Sequence, residues 1–471
     1  MQTPIYLQLA AKLAAMINKG TYPPGEKLPS LRKIHQEQGI SIGTVLQAFQ
    51  HLQDIGLIVS REKSGYFVNH KPAHTLPVPQ IIPSSLSEQT IHIDTLLRKL
   101  KKPSSGNNFV SFSTALPDHR LLPFNTIKRV IQQISRDASG SYLELEDAKG
   151  YQPLREAIAR RSLAWGAALH TDDVIITNGA TEALNLCLKA VTKPGDTVLI
   201  QEPCFYGVMQ CLEFLDLKAV TIPCYSGTGI EVGDLQTACE KYTIKACLLV
   251  SNFNNPTGAT LSSDKKRSLA VFANKNKLPI IEDDLYGDLY HEGSRPDNIK
   301  TYDKNGWVQL CNSFSKSLFP GARLGWCAPG RWSYEVARYK SMSTAGTNSL
   351  LQKVLYELLH TGAYDRHLQR FRQQLYANMV RTSRLIERHF PEGTKLTRPG
   401  GGVVLWIELP RRINAAHLQD VAFEQGVGIA PGEIFSAKAG YKNYIRISYC
   451  TTWNLKTEKA LEKLGRICKS I

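Results

Sequence analysis

The sequence has no apolar run approaching the roughly 20 residues that span a bilayer. Its first residues, Met1-Gln2-Thr3-Pro4-Ile5, lack a basic stretch leading into an apolar one. Neither a membrane partner nor a signal peptide is expected, and the chain reads as cytoplasmic. No cysteine precedes Cys187, and none of the ten forms a C-x-x-C pair. No histidine cluster completes a zinc set, so the cysteines read as buried, reduced thiols and no metal site is expected. Acidic residues are few: 41 Asp and Glu face 57 Lys and Arg, a net charge of +16. Such a surplus suits nucleic acid or anionic ligands. Residues 1–70 hold only seven Lys/Arg against four Asp/Glu, so charge alone does not mark a DNA-binding segment. Internal repeats at solenoid spacing are absent too. What remains is an ordinary globular composition, 42% hydrophobic and 21% charged over 471 residues. That excludes global disorder and allows about three domain-sized units.

Texture divides the chain into three. Residues 1–70 read as three helices and a hairpin. Residues 71–105 carry Pro72, Pro77, Pro79 and Pro83 and a Ser-Ser pair, and read as a linker. Residues 106–471 alternate short apolar strands with helices. In the first region Tyr6, Leu9, Leu13, Met16 and Ile17 recur at helical spacing, stopped by Gly20 and the Pro23-Pro24-Gly25 turn. A second helix is expected near Pro29-Ser30. A third is expected from Ser41 to Gly56, burying Ile42, Val45, Leu46, Phe49 and Leu52. Leu57–Ser60 and Tyr66–Asn69 read as strands joined by a five-residue loop.

Helix, turn, helix and hairpin make the winged helix-turn-helix layout, which places the third helix in the major groove of double-stranded DNA. Its outward residues Ser41, Thr44 and Gln47 suit base edges or phosphates, as do Gly43 and His51. Arg61, Lys63 and Ser64 at the hairpin tip would meet the backbone or the minor groove, and Arg32 lies on the preceding helix. Ser30 and Ser41 read either as plain helix caps or as caps that also touch phosphate. The run Arg98-Lys99-Leu100-Lys101-Lys102 reads as a solvated helix end or, less readily, as a backbone contact. The phrases Gly20-Thr-Tyr-Pro-Pro-Gly25, Leu28-Pro-Ser-Leu-Arg32, Gly39-Ile-Ser41, Thr44-Val45 and Ser64-Gly-Tyr-Phe-Val68 resemble the GntR family of bacterial transcription regulators. That family often has Arg directly after the Ser that opens the recognition helix; here the residue is Ile42.

In the third region the chemistry-bearing residues follow apolar strands. Ser313-Phe-Ser315-Lys316 follows Trp307–Cys311, and a lysine there can form a Schiff base if its surroundings deprotonate it. Arg323 is placed to clamp a phosphate. Ile280-Ile281-Glu282-Asp283-Asp284 is a buried strand ending in acids, with Tyr286 close behind. Asn255-Pro-Thr-Gly258 follows Ala246–Val250. Asn178-Gly-Ala-Thr181 opens a helix whose N–H groups suit a phosphate. Ligands of parallel α/β sheets bind at such strand ends, and this set makes a site for pyridoxal 5'-phosphate (PLP). Gly400-Gly-Gly402 precedes a strand instead of following one and reads as structural.

From about residue 106 onward the chain resembles the class I/II aminotransferases of PLP fold type I. The resemblance implies that Lys316 bonds the cofactor, that Asp283 pairs with its pyridine nitrogen, and that Tyr286 and Asn255 bond its phenolic oxygen. Ala180, Thr181, Ser313 and Arg323 would hold the phosphate with Ser315 nearby, Phe205 would stack on the ring, and Arg446 would bind a substrate carboxylate. Two positions depart from the pattern. Leu145 stands where family members usually donate a Tyr to the partner subunit's cofactor, and Ala115 replaces a common Gly before Leu116-Pro117-Asp118. Together the parts resemble the MocR-type regulators: an α/β chain with an N-terminal winged helix-turn-helix (1–70), a linker (71–105) and a fold-type I aminotransferase-like domain (106–471). That resemblance implies a homodimer on an operator, with PLP, an amino compound, or both as effector. A sensor of PLP alone, and an active aminotransferase with a vestigial DNA-binding domain, are the alternatives.

Overall fold

The computed structural model describes residues 4–18, 21–23, 25–54, 57–61, 64–69, 76–80, 86–93, 109–136, 140–438 and 440–471. Gly20, Pro24, Gly56, Lys63 and the basic run 98–102 fall outside these.

Three helices, α1 (Ile5–Asn18), α2 (Leu31–Gln38) and α3 (Ile42–Asp54), pack under a hairpin of β1 (Ile58–Arg61) and β2 (Gly65–Val68). Ser30 caps α2 by accepting from the Lys33 amide at 3.2 Å, and Gly39 ends it in the left-handed conformation, φ 64°. Leu9 and Leu13 of α1 meet Val45, Ala48, Phe49 and Leu52 of α3, at the i, i+3, i+4, i+7 spacing that makes one helix face. Two expectations change. Ile42 is 44% exposed and Leu46 only half-buried, while Ala48 joins Val45, Phe49 and Leu52 in the core. The hairpin ladder also runs one pair further, to Arg61↔Gly65, leaving a three-residue tip in place of five. Gly65 permits this: its φ of 100° is unfavourable for residues with a Cβ.

The segment expected as a linker contributes structure. Its residues 76–80 run along the C-terminal sheet, where the Leu396 amide donates to the Pro77 carbonyl at 2.9 Å. Glu88–Thr90 then forms an edge strand, β3. Ile91 and Ile93 are buried, and the Glu88 carboxylate anchors β3 to Lys218 at 3.2 Å and to Thr197 at 2.5 Å. Val110–Ser111, β4, pairs in parallel with Val427–Gly428.

The main sheet has eight strands. After β3 and β4 the chain forms β5 (Ile175–Thr177), β6 (Thr197–Glu202), β7 (Lys218–Pro223), β8 (Ile244–Leu249), β9 (Ile280–Asp283), β10 (Val308–Ser313) and β11 (Gly325–Ala328). The spatial order is β3-β7-β6-β8-β9-β10-β11-β5. β6 to β10 are mutually parallel, β11 runs antiparallel to β10, and β5 runs antiparallel to β11. β5 therefore points the same way as β8, β9 and β10, and the residues after all four strands lie along one edge. These strands are buried on both faces, which explains their continuous apolar sequences. A second, four-stranded antiparallel sheet centres on Val404–Glu408 and Tyr444–Ser448 and places Arg446 opposite Trp406. Among the described residues no helix is long and apolar enough to cross a membrane, and no group of His, Cys, Asp or Glu is arranged to hold a metal ion.

Candidate functional site

The first face is α3. Ser41 Oγ accepts from the Thr44 amide at 3.1 Å and lies 2.8 Å from the Thr44 hydroxyl. Thr44 is half-buried and its hydroxyl is shared with Ser41, while Gln47 stands exposed. Arg32 and Ser64 are exposed as well. The Arg61 guanidinium lies 4.3 Å from the Phe67 ring centroid, which holds the base of the wing. Ile42, expected in the core, is exposed at the start of this helix.

The second face is the strand-end edge of the main sheet. Lys316 follows β10, and its Nζ donates to the Ala115 carbonyl at 2.8 Å. Burial pushes this amine down to about 8; the Arg446 and Arg323 guanidinia push the same way, while Asp283 opposes them. Asp283 ends β9. Burial and the charge of Asp284 raise its carboxyl to about 7. Tyr286 is buried, bonds Asn255 and lies within electrostatic reach of Arg446 and Asp283. The edge thus brings Lys316, Asp283, Tyr286, Asn255, Arg323 and Arg446 into one neighbourhood.

The loop after β10 is built around Ser313. The Ser315 amide donates to Ser313 Oγ at 3.1 Å, and Arg323 Nη1 donates to Ser315 Oγ at 3.3 Å. Gly179 precedes the helix Ala180–Val191 at φ 87°, and a Cβ there would lie 2.7 Å from Arg323 Nη2. The absent side chain lets the guanidinium lie against the start of that helix, beside half-buried Ala180 and exposed Thr181. Phe205 is half-buried, its ring 4.4 Å from that of Tyr206.

Several donors and acceptors here have no partner. Asp283 Oδ1, Asn255 Oδ1 and Arg446 Nε are buried without a hydrogen bond. Arg446 is 2% exposed, and burial lowers its pKa. Its Nη2 donates to the Ser113 carbonyl, and among the described residues no carboxylate pairs with it. Unpaired buried polar groups are costly unless a ligand completes them. A carboxyl poised near neutrality, an amine that gives up its proton readily, an arginine at a helix start and a spare guanidinium fit a phosphorylated pyridine aldehyde together with a carboxylate-bearing amine.

The sequence reading missed four contributors. Cys450 is buried, with Sγ donating to the Leu116 carbonyl at 3.0 Å, and burial raises its pKa, so it lines the Lys316 neighbourhood as a neutral thiol. Its signal is its place just past the strand that carries Arg446. The Ala115 and Ser113 carbonyls leave no signal, being backbone. The fourth is Arg295, which bonds both Asp284 and Asp288 and neutralises charge next to Asp283.

Residues 116–464 match the family of aminotransferases of class I and II, and residues 5–68 match the gntR family of bacterial regulatory proteins. The chain is 37% identical over 462 residues to an uncharacterized HTH-type transcriptional regulator, YdcR, of Escherichia coli (strain K12), covering 98% of each chain. A second such regulator of that strain, YjiR, is 36% identical over 460 residues, again with 98% of each covered. Among solved structures, LysN of Thermus thermophilus superposes with a TM-score of 0.72 at 27% identity, covering 77% of this chain and 93% of that one. It is an α-aminoadipate aminotransferase, complexed there with N-(5'-phosphopyridoxyl)-L-leucine.

Proposed function

The chain belongs to the aminotransferase class I and II family and carries a GntR-family segment ahead of it, and from this we propose that it is a DNA-binding transcription regulator whose large domain takes pyridoxal phosphate and senses an amino compound there. The observation that carries the sensing half is the buried Arg446 guanidinium, unpaired by any carboxylate among the described residues and within electrostatic reach of Lys316.

Pyridoxal phosphate, when bound, supplies an aldehyde that bonds primary amines reversibly and a ring that withdraws electrons. The chain's residues supply the rest. Lys316 offers an amine whose proton leaves near neutrality. Asp283 would pair with the ring nitrogen, and Tyr286 and Asn255 with the phenolic oxygen. Ala180, Thr181, Ser313, Ser315 and Arg323 would hold the phosphate, and Phe205 would lie against the ring. Arg446 would take the carboxylate of an amino acid effector, which completes its hydrogen bonds and offsets its burial. On the other domain Arg32, Ser41, Thr44, Gln47, Lys63 and Ser64 would meet operator DNA. An effector that binds two arrangements of the chain unequally shifts their balance, and DNA affinity with it.

Exposed Leu143 and Leu145, 79% and 80% accessible, support a homodimer through that loop. An active aminotransferase is the second reading, favoured by the full set of Lys, Asp, Tyr, Asn and Arg around one site. Absorbance separates the two. Adding amino acids singly to the PLP-loaded chain shifts the visible band without releasing keto acid if the chain is a sensor. Keto acid released over repeated cycles, and lost in Lys316→Ala, supports the enzyme instead.

A further inference from the structure

A cavity of about 410 Å³ lies between residues 120–126, Arg129 and the helix Ala363–His389. Four arginines line it, Arg120, Arg129, Arg366 and Arg370, together with His367, and no acidic residue does. Asp118 holds Arg120 from outside the cavity, through bonds of 3.1 and 2.7 Å. Arg366 donates to the Thr361 carbonyl at 3.1 Å. Among the described residues neither Arg129 nor Arg370 has an ion pair or hydrogen bond. Guanidinium groups stay protonated at any physiological pH, so Arg129, Arg366 and Arg370, all exposed and without a carboxylate partner among the described residues, give the cavity a positive potential that favours an anion. Their planar forks match the oxygens of a phosphoryl group. The volume sits at the lower end of the range of small-ligand pockets, with room for more than one phosphate.

Both walls lead to Lys316. On one side, the segment that carries Arg120 also carries Ala115, whose carbonyl accepts from Lys316 Nζ, and Asp118, whose amide donates to the Cys450 carbonyl at 2.9 Å. On the other, His367 Nε2 donates to the carbonyl of Ser317, the residue after Lys316, at 2.9 Å. Burial and the Arg370 charge push the His367 imidazole down to about 4, so it stays a neutral donor. Tyr364 on the same helix reaches the Ser317 hydroxyl at 2.8 Å.

We propose that this cavity binds a small oligophosphate anion, and that an anion bound there acts on Lys316 through the 115–120 segment and His367. The binding half stands independently of the cofactor reading; the link to Lys316 rests on it.

Tripolyphosphate is the probe, titrated calorimetrically into the full chain saturated with pyridoxal phosphate, so that the Ser313–Arg323 loop is already engaged. One saturable site per chain is expected, weakening as salt rises. The double variant Arg129→Gln/Arg370→Gln should bind at least about tenfold more weakly with an unchanged melting temperature. Wild-type-like binding by the variant overturns the site, as does no saturable binding to the wild type. If the double variant fails to fold, Arg370→Gln alone serves, with the same two outcomes. A parallel titration with duplex DNA separates the sources of phosphate. Unchanged duplex affinity in the variant supports a small anion. Weakened duplex affinity with tripolyphosphate binding intact assigns the arginines to DNA and overturns the proposal. Bound tripolyphosphate should also move the pH midpoint of the visible band in the wild type; no movement overturns the link to Lys316.

Discussion

Lys316 should react with aldehydes at a pH where ordinary lysines do not. Its amine is pushed down to about 8 by burial and by two neighbouring arginines. Burial opposes the charged form, so the neutral, nucleophilic form gains. At about pH 7 roughly 10% of such an amine is neutral, against roughly 0.04% of an unperturbed lysine near 10.4. The advantage is therefore about two orders of magnitude at neutrality and shrinks as pH rises. Between about pH 7 and pH 9 the neutral share should climb roughly tenfold and then level off. The assay strips the chain of cofactor, adds pyridoxal phosphate for short times across pH, traps adducts with borohydride and maps them by peptide mass. Attachment at Lys316 should rise and flatten by about pH 9, while surface lysines keep climbing past 10. A Lys316 profile that climbs in parallel with the surface lysines would refute the electrostatic reasoning. Replacing Arg446 by Met removes one opposing charge and should move the Lys316 midpoint upward.

Gly179→Ala forces a Cβ to within 2.7 Å of Arg323 Nη2 at φ 87°. A backbone strain of about 1–3 kcal/mol plus the displaced guanidinium should weaken cofactor binding about tenfold or more, read by equilibrium dialysis. Arg446→Lys keeps the charge but loses the planar fork. The response to amino acids should need about tenfold more ligand, while the response to amines without a carboxylate stays as it was. Phe49→Ala empties the centre of the winged-helix core, at a cost of about 3–5 kcal/mol. Duplex binding should be lost with the visible cofactor band intact; loss of both together would mean that the two domains unfold as one. Arg32→Ala should weaken all duplexes alike and lower the salt slope by about one, whereas Gln47→Ala should change preference at one base pair.

The strand-end chemistry is legible in the sequence because each group follows a continuous apolar strand. Asn255, Asp283 and Lys316 follow or end β8, β9 and β10, and parallel strands place such residues on one edge. Three things are not legible. Ile42 has the right spacing for α3's buried face, but periodicity does not say which turns of a helix are covered by neighbours, and the structure leaves it exposed. The strand at Glu88–Thr90 is masked by the prolines and serines around it, although Ile91 and Ile93 already alternate with polar residues. Its edge position explains the weak signal, because it pairs on one side only. The Ala115 and Ser113 carbonyls that receive Lys316 and Arg446 belong to the backbone, which any residue would supply.

The central claim is that one chain couples an amine-binding site to DNA. The most direct test measures duplex affinity of the PLP-loaded full chain by fluorescence anisotropy, with fragments tiled across the DNA flanking its own gene. Amino acids are added singly and keto acid is assayed in the same tubes. The account predicts that at least one amino acid changes duplex affinity severalfold without stoichiometric keto acid, and that Lys316→Ala abolishes the change while still binding DNA. Duplex affinity indifferent to every amino acid, alongside sustained keto acid release, would contradict it.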